Sequence, residues 1–350
     1  MAVFNVRDFG AKGDGTNLDS SFVEKALKAI VLEHRGGVLF FPAGTYLLDK
    51  RLDVTNTWAS IQGEGKAHSR LLWKGANDGG GIRLTGGGYS AEDSRSFMIK
   101  DVSLITMDAA AGTALDVRWD GAIVRSPIKK LVVRDVEITQ FDYHGNNPKG
   151  SWAKGIRCFV PWEVDISHVS IHVAREDGIL FAYPSCCGMY LSHIYVNLAR
   201  TAIRLRHGPE GFFLSNFQLV NVQIGIDGRA HLDESEAATN FKGTVFAMTN
   251  GHIDTQLHAI VFENSENVQI SNVSAWISNS TTPSNVTSFT KCSAVAISSS
   301  RINNNRGAVN TNGIRLDNCN GVFVYGNFVD MGGTGQSVLN NNSSSVHVWP

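Results

Sequence analysis

Hydrophobic and polar residues alternate in short blocks along most of the chain, and one block pattern recurs. The pattern covers six positions, apolar, outward, small polar, apolar, outward and apolar, as in Ile99–Leu104. Nine blocks follow it, some more loosely than others, and they begin at Ile99, Val133, Ile166, Leu191, Leu214, Met248, Ile270, Ile297 and Val324. Their spacing of 22 to 34 residues is typical of a solenoid, in which each coil buries its inner face against its neighbours.

A second apolar pair follows the block in most repeats and predicts a second strand in each coil. These pairs are Gly155-Ile156, Gly178-Ile179, Ala202-Ile203, Gly225-Ile226, Ala259-Ile260 and Gly313-Ile314. The longer coils predict loops near residues 139–155, 228–243, 277–290 and 303–312.

The third position of the first block predicts a bend. It is polar in eight repeats, at Asp101, Asp135, His168, His193, Asn216, Asn250, Asn272 and Ser299. Short polar side chains suit a bend, because they bond there to the backbone or to each other. We therefore interpret His168 and His193 as members of this column rather than as catalysts.

The first 50 residues have another pattern and predict a cap for the solenoid. A short strand at Val3–Phe9 leads into the turn formers Gly10–Thr16, and apolar residues from Phe22 to Val31 recur at helical spacing. Gly36-Gly37 ends the predicted helix, and a buried strand follows at Val38–Phe41. We expect one amphipathic helix that covers an apolar end.

Two stretches of this segment, FNVRDFGAKGDGTNLDSSF and GGVLFFPAGTYLL, resemble the N-terminal signature of the pectate-lyase-like superfamily. The resemblance implies an all-β fold, a single-stranded right-handed parallel β-helix (solenoid) with an N-terminal capping α-helix. We divide the chain into a capping segment (1–50), β-helix coils (51–339) and a C-terminal tail (340–350). Superfamily members include phage tailspikes, polysaccharide depolymerases and mannuronan epimerases, so the fold alone specifies no reaction.

Composition excludes several classes of protein. With 18% charged residues and a formal net charge of −1, the chain has no basic excess to neutralise nucleic-acid phosphates. No apolar run is long enough to span a membrane, and no signal peptide is visible. The five cysteines include no Cys-x-x-Cys pair, which argues against a zinc site of the usual kind. We expect no metal and no cofactor. Cys186, Cys292 and Cys319 each lie five residues before a block, which predicts a buried column of thiols.

One candidate catalytic pair lies on the predicted outer face of the second strands. Asp227 and Glu263 are diagonal neighbours on adjacent coils there, with Cβ atoms on the order of 8 Å apart. The two carboxylates of an inverting glycosidase are expected at about 6.5–9.5 Å. Three arginines, Arg204, Arg206 and Arg229, could bind an acidic sugar or hold one carboxylate ionised. The alternative is a solvated ladder of ion pairs.

A second candidate cluster lies on the outer face of the first strands. His252 and Asp254 point outward, with Tyr195 and Gln218 on preceding coils and Trp276 on the next. An aromatic ring beside a carboxylate and an imidazole can form a sugar platform with an acid or base. We therefore interpret Asp254 as catalytic and His252, Tyr195 and Trp276 as substrate-binding. The alternative is that this face packs against another subunit.

The motifs of two related enzyme groups are absent. The chain lacks the Asn-Thr-Asp, Asp-Asp and Gly-His-Gly set of polygalacturonase-type hydrolases and the Asp-Pro-His-Glu motif of mannuronan epimerases. The nearest resemblance is therefore to tailspike-like depolymerases. It implies a polysaccharide substrate, a homotrimer, an extracellular or virion-associated location, and neither nucleic-acid nor membrane partners.

We predict a glycoside hydrolase that cleaves a bacterial surface glycan or another extracellular glycan with a carboxylate acid/base pair. Two other functions stay open. A polysaccharide lyase, acting by β-elimination on a uronate polymer, needs a base for the C5 proton and a cation for the carboxylate, and the chain has tyrosines, histidines and arginines for these tasks. A non-catalytic glycan-binding adhesin needs neither.

Overall fold

The computed structural model consists mainly of parallel strands, which are between 3 and 21 residues long. It describes residues 2–34, 36–55, 58–86, 96–119, 128–159, 161–182, 188–206, 209–229, 243–278, 284–305, 311–331 and 335–349. Within these ranges there is one α-helix, α1 (Ser20–His34), and one short 3₁₀ helix (Val6–Phe9). The strands, in chain order, are β1 (Val3–Asn5), β2 (Asp14–Leu18), β3 (Gly36–Phe41), β4 (Gly44–Leu48), β5 (Leu52–Thr55), β6 (Trp58–Gly63), β7 (Ser69–Trp73), β8 (Ile82–Gly86), β9 (Ser96–Thr106), β10 (Ala111–Trp119), β11 (Ile128–Gln140), β12 (Trp152–Cys158), β13 (Pro161–Phe181), β14 (Gly188–Leu205), β15 (Phe212–Gly228), β16 (Phe246–Glu263), β17 (Glu266–Ser278), β18 (Asn285–Thr290), β19 (Ser293–Ser298), β20 (Arg301–Asn305), β21 (Asn312–Asp317), β22 (Asn320–Tyr325), β23 (Phe328–Asp330), β24 (Val338–Asn341) and β25 (Ser344–Val348).

The strands stack in parallel ladders, one coil on the next. One ladder runs through β1, β3, β6, β9, β11 and β13, and another through β5, β8, β10 and β12. Later in the chain β14, β15, β16, β17, β19, β22 and β25 form a ladder beside β16, β18, β21 and β24. Block starts pair with block starts, as Leu214 does with Met248. The predicted right-handed parallel β-helix with an N-terminal capping helix is confirmed.

Each repeat bends at the third position of its block. All eight polar residues predicted for this column have a left-handed backbone, with φ between 47° and 61°. Gly326 holds the same position in the ninth block, with φ 60°. Short polar side chains tolerate this conformation better than β-branched ones. His168 and His193, both at φ 54°, thus lie in the bend column as predicted.

The N-terminal helix packs an apolar face onto the first coil. Val23, Ala26 and Ile30 are buried in that contact. Asp19 directly precedes the helix, and its buried carboxylate accepts the backbone N–H groups of Lys12 and Gly13, at 2.6 and 3.1 Å. The glycine-rich turn of the N-terminal signature is thereby tied to the start of the helix.

Inward side chains form columns through the later coils. The rings of Phe262 and Phe289 stack with centroids 6.4 Å apart and planes 4° apart. Cys292 and Cys319 are buried, and their sulfurs lie 3.6 and 3.3 Å from the carbonyl oxygens of the same two phenylalanines. The expected thiol column is present at these two positions, whereas Cys186 lies outside the described residues.

Three boundaries differ from the sequence prediction. Residues 277–290, predicted as a loop, include β18, which pairs with β16 and β21 and completes a coil. The apolar pair was missed because polar Thr287 stands opposite Ile260 and Ile314. The capping segment already contains coil strands, since β3 and β4 pair with β6 and β7. The predicted C-terminal tail, 340–350, contributes to β24 and β25, so the coils continue to Val348.

The predicted loop at 139–155 is confirmed over residues 141–151, between β11 and β12. The loops predicted at 228–243 and 303–312 fall mostly outside the described residues. Among the residues that the structure describes, no helix combines the length and the hydrophobicity needed to cross a bilayer.

Contacts divide the chain into two compact units, unit 1 (residues 1–177) and unit 2 (residues 178–350). Both are built from the same parallel coils. All nine candidate residues named from the sequence lie in unit 2.

Candidate functional site

An open groove of 740 Å³ crosses the outer face of the first strands in unit 2. Its axis follows the fifth position of successive blocks, because the register pairs each of these residues with the next: Gln218, His252, Ser274, Arg301 and Phe328. Among the described residues, the groove is lined by Phe217, Gln218, Asn250, Gly251, His252, Asn272, Ser274, Ser299, Ser300, Arg301, Gly326 and Phe328. None of these described lining residues is an aspartate or a glutamate.

The bend column forms one side of this groove. Asn272 Nδ2 donates to Asn250 Oδ1 at 2.8 Å, so neighbouring coils are joined along the wall. At Gly251, a Cβ atom would lie 2.0 Å from the ring of Phe217. A side chain there would displace that ring, so the shape of the groove depends on glycine at this position.

His252 is held against an aromatic ring in the groove. Its imidazole and the ring of Trp276 form a T-shaped contact, with centroids 5.0 Å apart and planes at 89°. Trp276 is itself oriented, because its Nε1 donates to Ser274 Oγ at 2.9 Å. Burial lowers the pKa of His252, and the Asp254 carboxylate opposes that shift only in part. The imidazole is therefore neutral at pH 7 and can act as a base.

Asp254 and Tyr195 flank the groove but do not line it. Asp254 stands opposite Trp276 on the next coil and accepts a hydrogen bond from Ser278 Oγ at 2.8 Å. Tyr195 pairs with Gln218, so it lies two coils before His252. The structure thus brings His252, Asp254 and Trp276 together and places Tyr195 farther along the same face.

Arg301 is a groove residue that our sequence analysis did not select. Its guanidinium lies over the ring of Phe328, 5.3 Å from the centroid. Across the described ranges, no carboxylate lies within salt-bridge distance of it. The signal was present in the sequence, since Arg301 occupies the same block position as His252 and Tyr195.

The charged column on the second strands differs from the expected exposed face. Asp227 is fully buried, and both of its oxygens bind Arg229, at 2.7 Å to Nε and 2.8 Å to Nη2. Glu263 stands two residues beyond Val261, the register partner of Asp227, so the predicted diagonal relation holds. The column thus contains an ion pair with a buried carboxylate rather than the solvated ladder that we weighed as an alternative, and a catalytic role for Asp227 and Glu263 stays a prediction.

The other predicted arginines of this column are also engaged or covered. Arg204 is 9% exposed and donates to Thr201 Oγ1 at 2.8 Å, and Arg206 is partly buried. Val261, the register partner of Asp227 on the next coil, is buried as well. Strand alternation assigned the outward direction, but direction does not decide whether other chain segments cover a side chain.

Paired charges also occur on the second strands of unit 1. Asp116 is 3% exposed, and Arg118, two residues later, donates to it at 2.6 Å, as Arg229 does to Asp227. An aspartate and an arginine two positions apart therefore form a structural pair in both units. Within the described part of the chain, no group of three or more His, Cys, Asp or Glu side chains is arranged to hold a metal ion.

Several solved structures share this fold. The A-module of mannuronan C-5 epimerase AlgE6 from Azotobacter vinelandii is 13% identical, with 99% of both chains covered and a TM-score of 0.51. The enzymatically active domain of bacteriophage CBA120 tailspike protein 2 is 15% identical, with 97% of this chain and 46% of that chain covered and a TM-score of 0.52. The N-terminal fragment of bacteriophage phi29 gene product 12 is 14% identical, with 95% and 65% covered and a TM-score of 0.52. At these identities the likeness shows the fold alone.

Sequence comparison defines the family. A search of curated proteins found no match. A family profile described as rhamnogalacturonase A/epimerase, pectate lyase-like matches residues 3–231, well over half of the chain. The protein therefore belongs to the rhamnogalacturonase A/epimerase, pectate lyase-like family.

Proposed function

We propose that this chain is a polysaccharide-degrading enzyme that binds an acidic glycan along the groove of unit 2 and cleaves it by β-elimination. Family membership supports action on a polysaccharide. One observation supports the reaction type: among the described residues, the neutral imidazole of His252 and the guanidinium of Arg301, which has no carboxylate partner there, share a lining without aspartate or glutamate. A polymer suits this groove, because five coils at about 4.8 Å each span roughly 19 Å from the first strand to the fifth.

In this reaction His252 is the base. Its imidazole takes the proton from C5 of a uronate, and the released electron pair forms the double bond between C4 and C5. The bond between C4 and the glycosidic oxygen breaks, and that oxygen takes a proton from water. General base catalysis of this kind typically contributes about 10²–10⁴-fold to a rate.

Arg301 neutralises the uronate carboxylate. Negative charge builds up on that carboxylate when C5 loses its proton, and a fixed guanidinium stabilises it. Ser274 separates the strands of His252 and Arg301, which therefore lie roughly 10 Å apart. One sugar ring over Ser274 would place its C5 proton toward His252 and its carboxylate toward Arg301.

Hydrolysis by Asp227 and Glu263, our prediction from the sequence, is the second candidate. The observation that favours it is their diagonal register on adjacent coils, at a separation on the order of 8 Å. Glu263 would protonate the leaving oxygen, and Asp227 would activate water. The bidentate pair with Arg229 must open first, so we rank this reaction second.

Product analysis separates these reactions. Incubation with polygalacturonate or alginate should release unsaturated uronides, which absorb in the ultraviolet, whereas hydrolysis releases reducing ends without that absorbance. Retention of glycan without new ends would support the adhesin alternative. If acidic and neutral bacterial surface glycans all stay intact, the enzyme proposal is wrong.

Assembly and location belong to the same proposal. We infer a homotrimer that acts outside the cell or on a virion, and the fold shared with the tailspike domain supports this. Light scattering on the purified chain tests it, because a monomer would contradict the trimer.

A further inference from the structure

A cluster of polar rings lies on the outer face of the coils of unit 1. Glu137 on β11 stands opposite Ser170 on β13, and His172 follows two residues later. Tyr143 and His144 belong to the loop between β11 and β12, and they fold over His172.

The loop that carries the two rings is fixed at its base. Phe141 and Lys149 form an antiparallel bridge, with N–H to O distances of 3.0 and 2.9 Å. Asp142 has a left-handed backbone, and its Oδ2 accepts the N–H of Asn147 at 3.0 Å. The rings are thus presented by an ordered turn.

The four side chains contact one another. The ring of Tyr143 lies 4.5 Å from that of His172 and 4.6 Å from that of His144, and the two imidazoles are 6.0 Å apart. Glu137 Oε1 lies 3.9 Å from His172 Nε2. Ser103 Oγ donates to Glu137 Oε2 at 3.0 Å.

The charge state of the cluster is set by its surroundings. Burial lowers the pKa of His172, the Glu137 carboxylate opposes this, and His144 and Lys66 add to the lowering. At pH 7 His172 is therefore neutral. Glu137 is 29% exposed and His144 is exposed, so a carboxylate and an imidazole remain accessible from solvent.

We propose that Glu137, Tyr143, His144 and His172 bind one ring of a neutral, hydroxylated sugar. Carboxylate oxygens accept sugar hydroxyls, and a neutral imidazole both donates and accepts. The aromatic rings offer an apolar surface for the C–H face of the sugar. The charge of Glu137 disfavours a uronate, so this site has the opposite charge preference to the Arg301 groove.

The structural alternative is a packing cluster that merely anchors the loop. Such a cluster needs neither an accessible carboxylate nor an exposed imidazole at its edge. Binding does not depend on cleavage, so the proposal stands or falls separately from the proposed function.

The test titrates the full chain with maltohexaose, cellohexaose and laminarihexaose, and it follows the imidazole NMR signals of His144 and His172. At least one neutral hexasaccharide should shift both signals, and hexagalacturonate should leave them in place. Glu137→Gln should weaken the neutral ligand about tenfold, because a neutral acceptor replaces a charged one. The same variant should allow hexagalacturonate to bind.

Two control variants keep the test specific. Glu163→Gln removes a surface carboxylate of the same unit that pairs with Lys130, and it should leave sugar binding unchanged. Arg301→Gln should impair cleavage of acidic glycans without changing the His144 shift. Unmoved His144 and His172 signals with all three neutral sugars at millimolar concentration would overturn the proposal, as would equal losses in Glu137→Gln and Glu163→Gln.

Discussion

Two outward faces of unit 2 are built from the same repeat but present their charges in opposite ways. On the second strands, Asp227 is buried and holds Arg229 with two hydrogen bonds. On the first strands, the guanidinium of Arg301 lies over the ring of Phe328, has no carboxylate partner among the described residues, and faces an open groove. A satisfied charge contributes to the fold, whereas an unsatisfied one in a groove is available to a ligand.

A side chain that lies on an outward face is not necessarily free to contact a ligand. Sequence alternation placed both sets of residues outward, and on that ground the carboxylate pair looked as suitable as the histidine. We rank the histidine first, because both oxygens of Asp227 are bound by Arg229, two residues further along the chain. Substitutions on each of the two faces test that distinction.

His252→Gln should lower the rate of uronide release by about 10²–10⁴-fold, since the base is lost. The wild-type rate should also depend on pH. Burial lowers the pKa of His252, so the neutral base is fully present at pH 7 and is lost as the pH falls through that lowered pKa. A pH profile of kcat/KM measures this, and circular dichroism confirms that the variant is folded. An unchanged rate in the folded variant would assign the base elsewhere.

Asp227→Asn should destabilise the chain without removing the activity of the folded fraction. The substitution removes the ionic partner of Arg229. Because that arginine is 32% exposed, water compensates part of the loss, and the free energy of unfolding should fall by about 2 kcal/mol. Urea unfolding measures it, with Glu263→Gln as the comparison. If Asp227→Asn abolishes cleavage and leaves stability intact, hydrolysis by the carboxylate pair becomes the better explanation.

Arg301→Gln should reduce kcat/KM on an acidic polymer about tenfold, because a charged contact to the uronate is removed. The matched control is Arg315→Gln on the other face, whose guanidinium is already bound to Asp317 at 2.6 Å. The control should retain the wild-type rate. Equal losses in both variants would mean that net charge, rather than the groove, determines recognition.

Asn272→Ala should cost about 1 kcal/mol of stability, since alanine tolerates a left-handed backbone poorly and the hydrogen bond to Asn250 is lost. Asn272→Gly should cost less, because glycine adopts that conformation freely. Thermal unfolding of the two variants measures the difference. Equal destabilisation would show that the side-chain bond, and not the backbone, dominates at this bend.

The repeat and its bends could be predicted because they depend on local pattern. The backbone conformation at Asp101 or Asn216 follows from residue type and block position alone. The coil at β18 was missed because Thr287 replaces the apolar residue that marked the other coils. The burial of Asp227 beside Arg229 could not be predicted, because the exposure of a side chain depends on which other segments of the chain cover its strand. Arg301 could have been predicted as a groove residue, because it occupies the same block position as His252.

Because the bends repeat once per coil, the groove is built from equivalent units of one coil each. Ile270 pairs with Ile297, so equivalent points on these two coils are 27 residues apart. Deleting one such 27-residue coil would bring neighbouring coils together with their left-handed bends still in register. Such a deletion should shorten the groove by one strand spacing, about 4.8 Å, and leave the remaining wall aligned. The number of coils would then act as a ruler for the length of glycan that the protein engages, adjustable in whole steps by gene duplication or loss of a single turn.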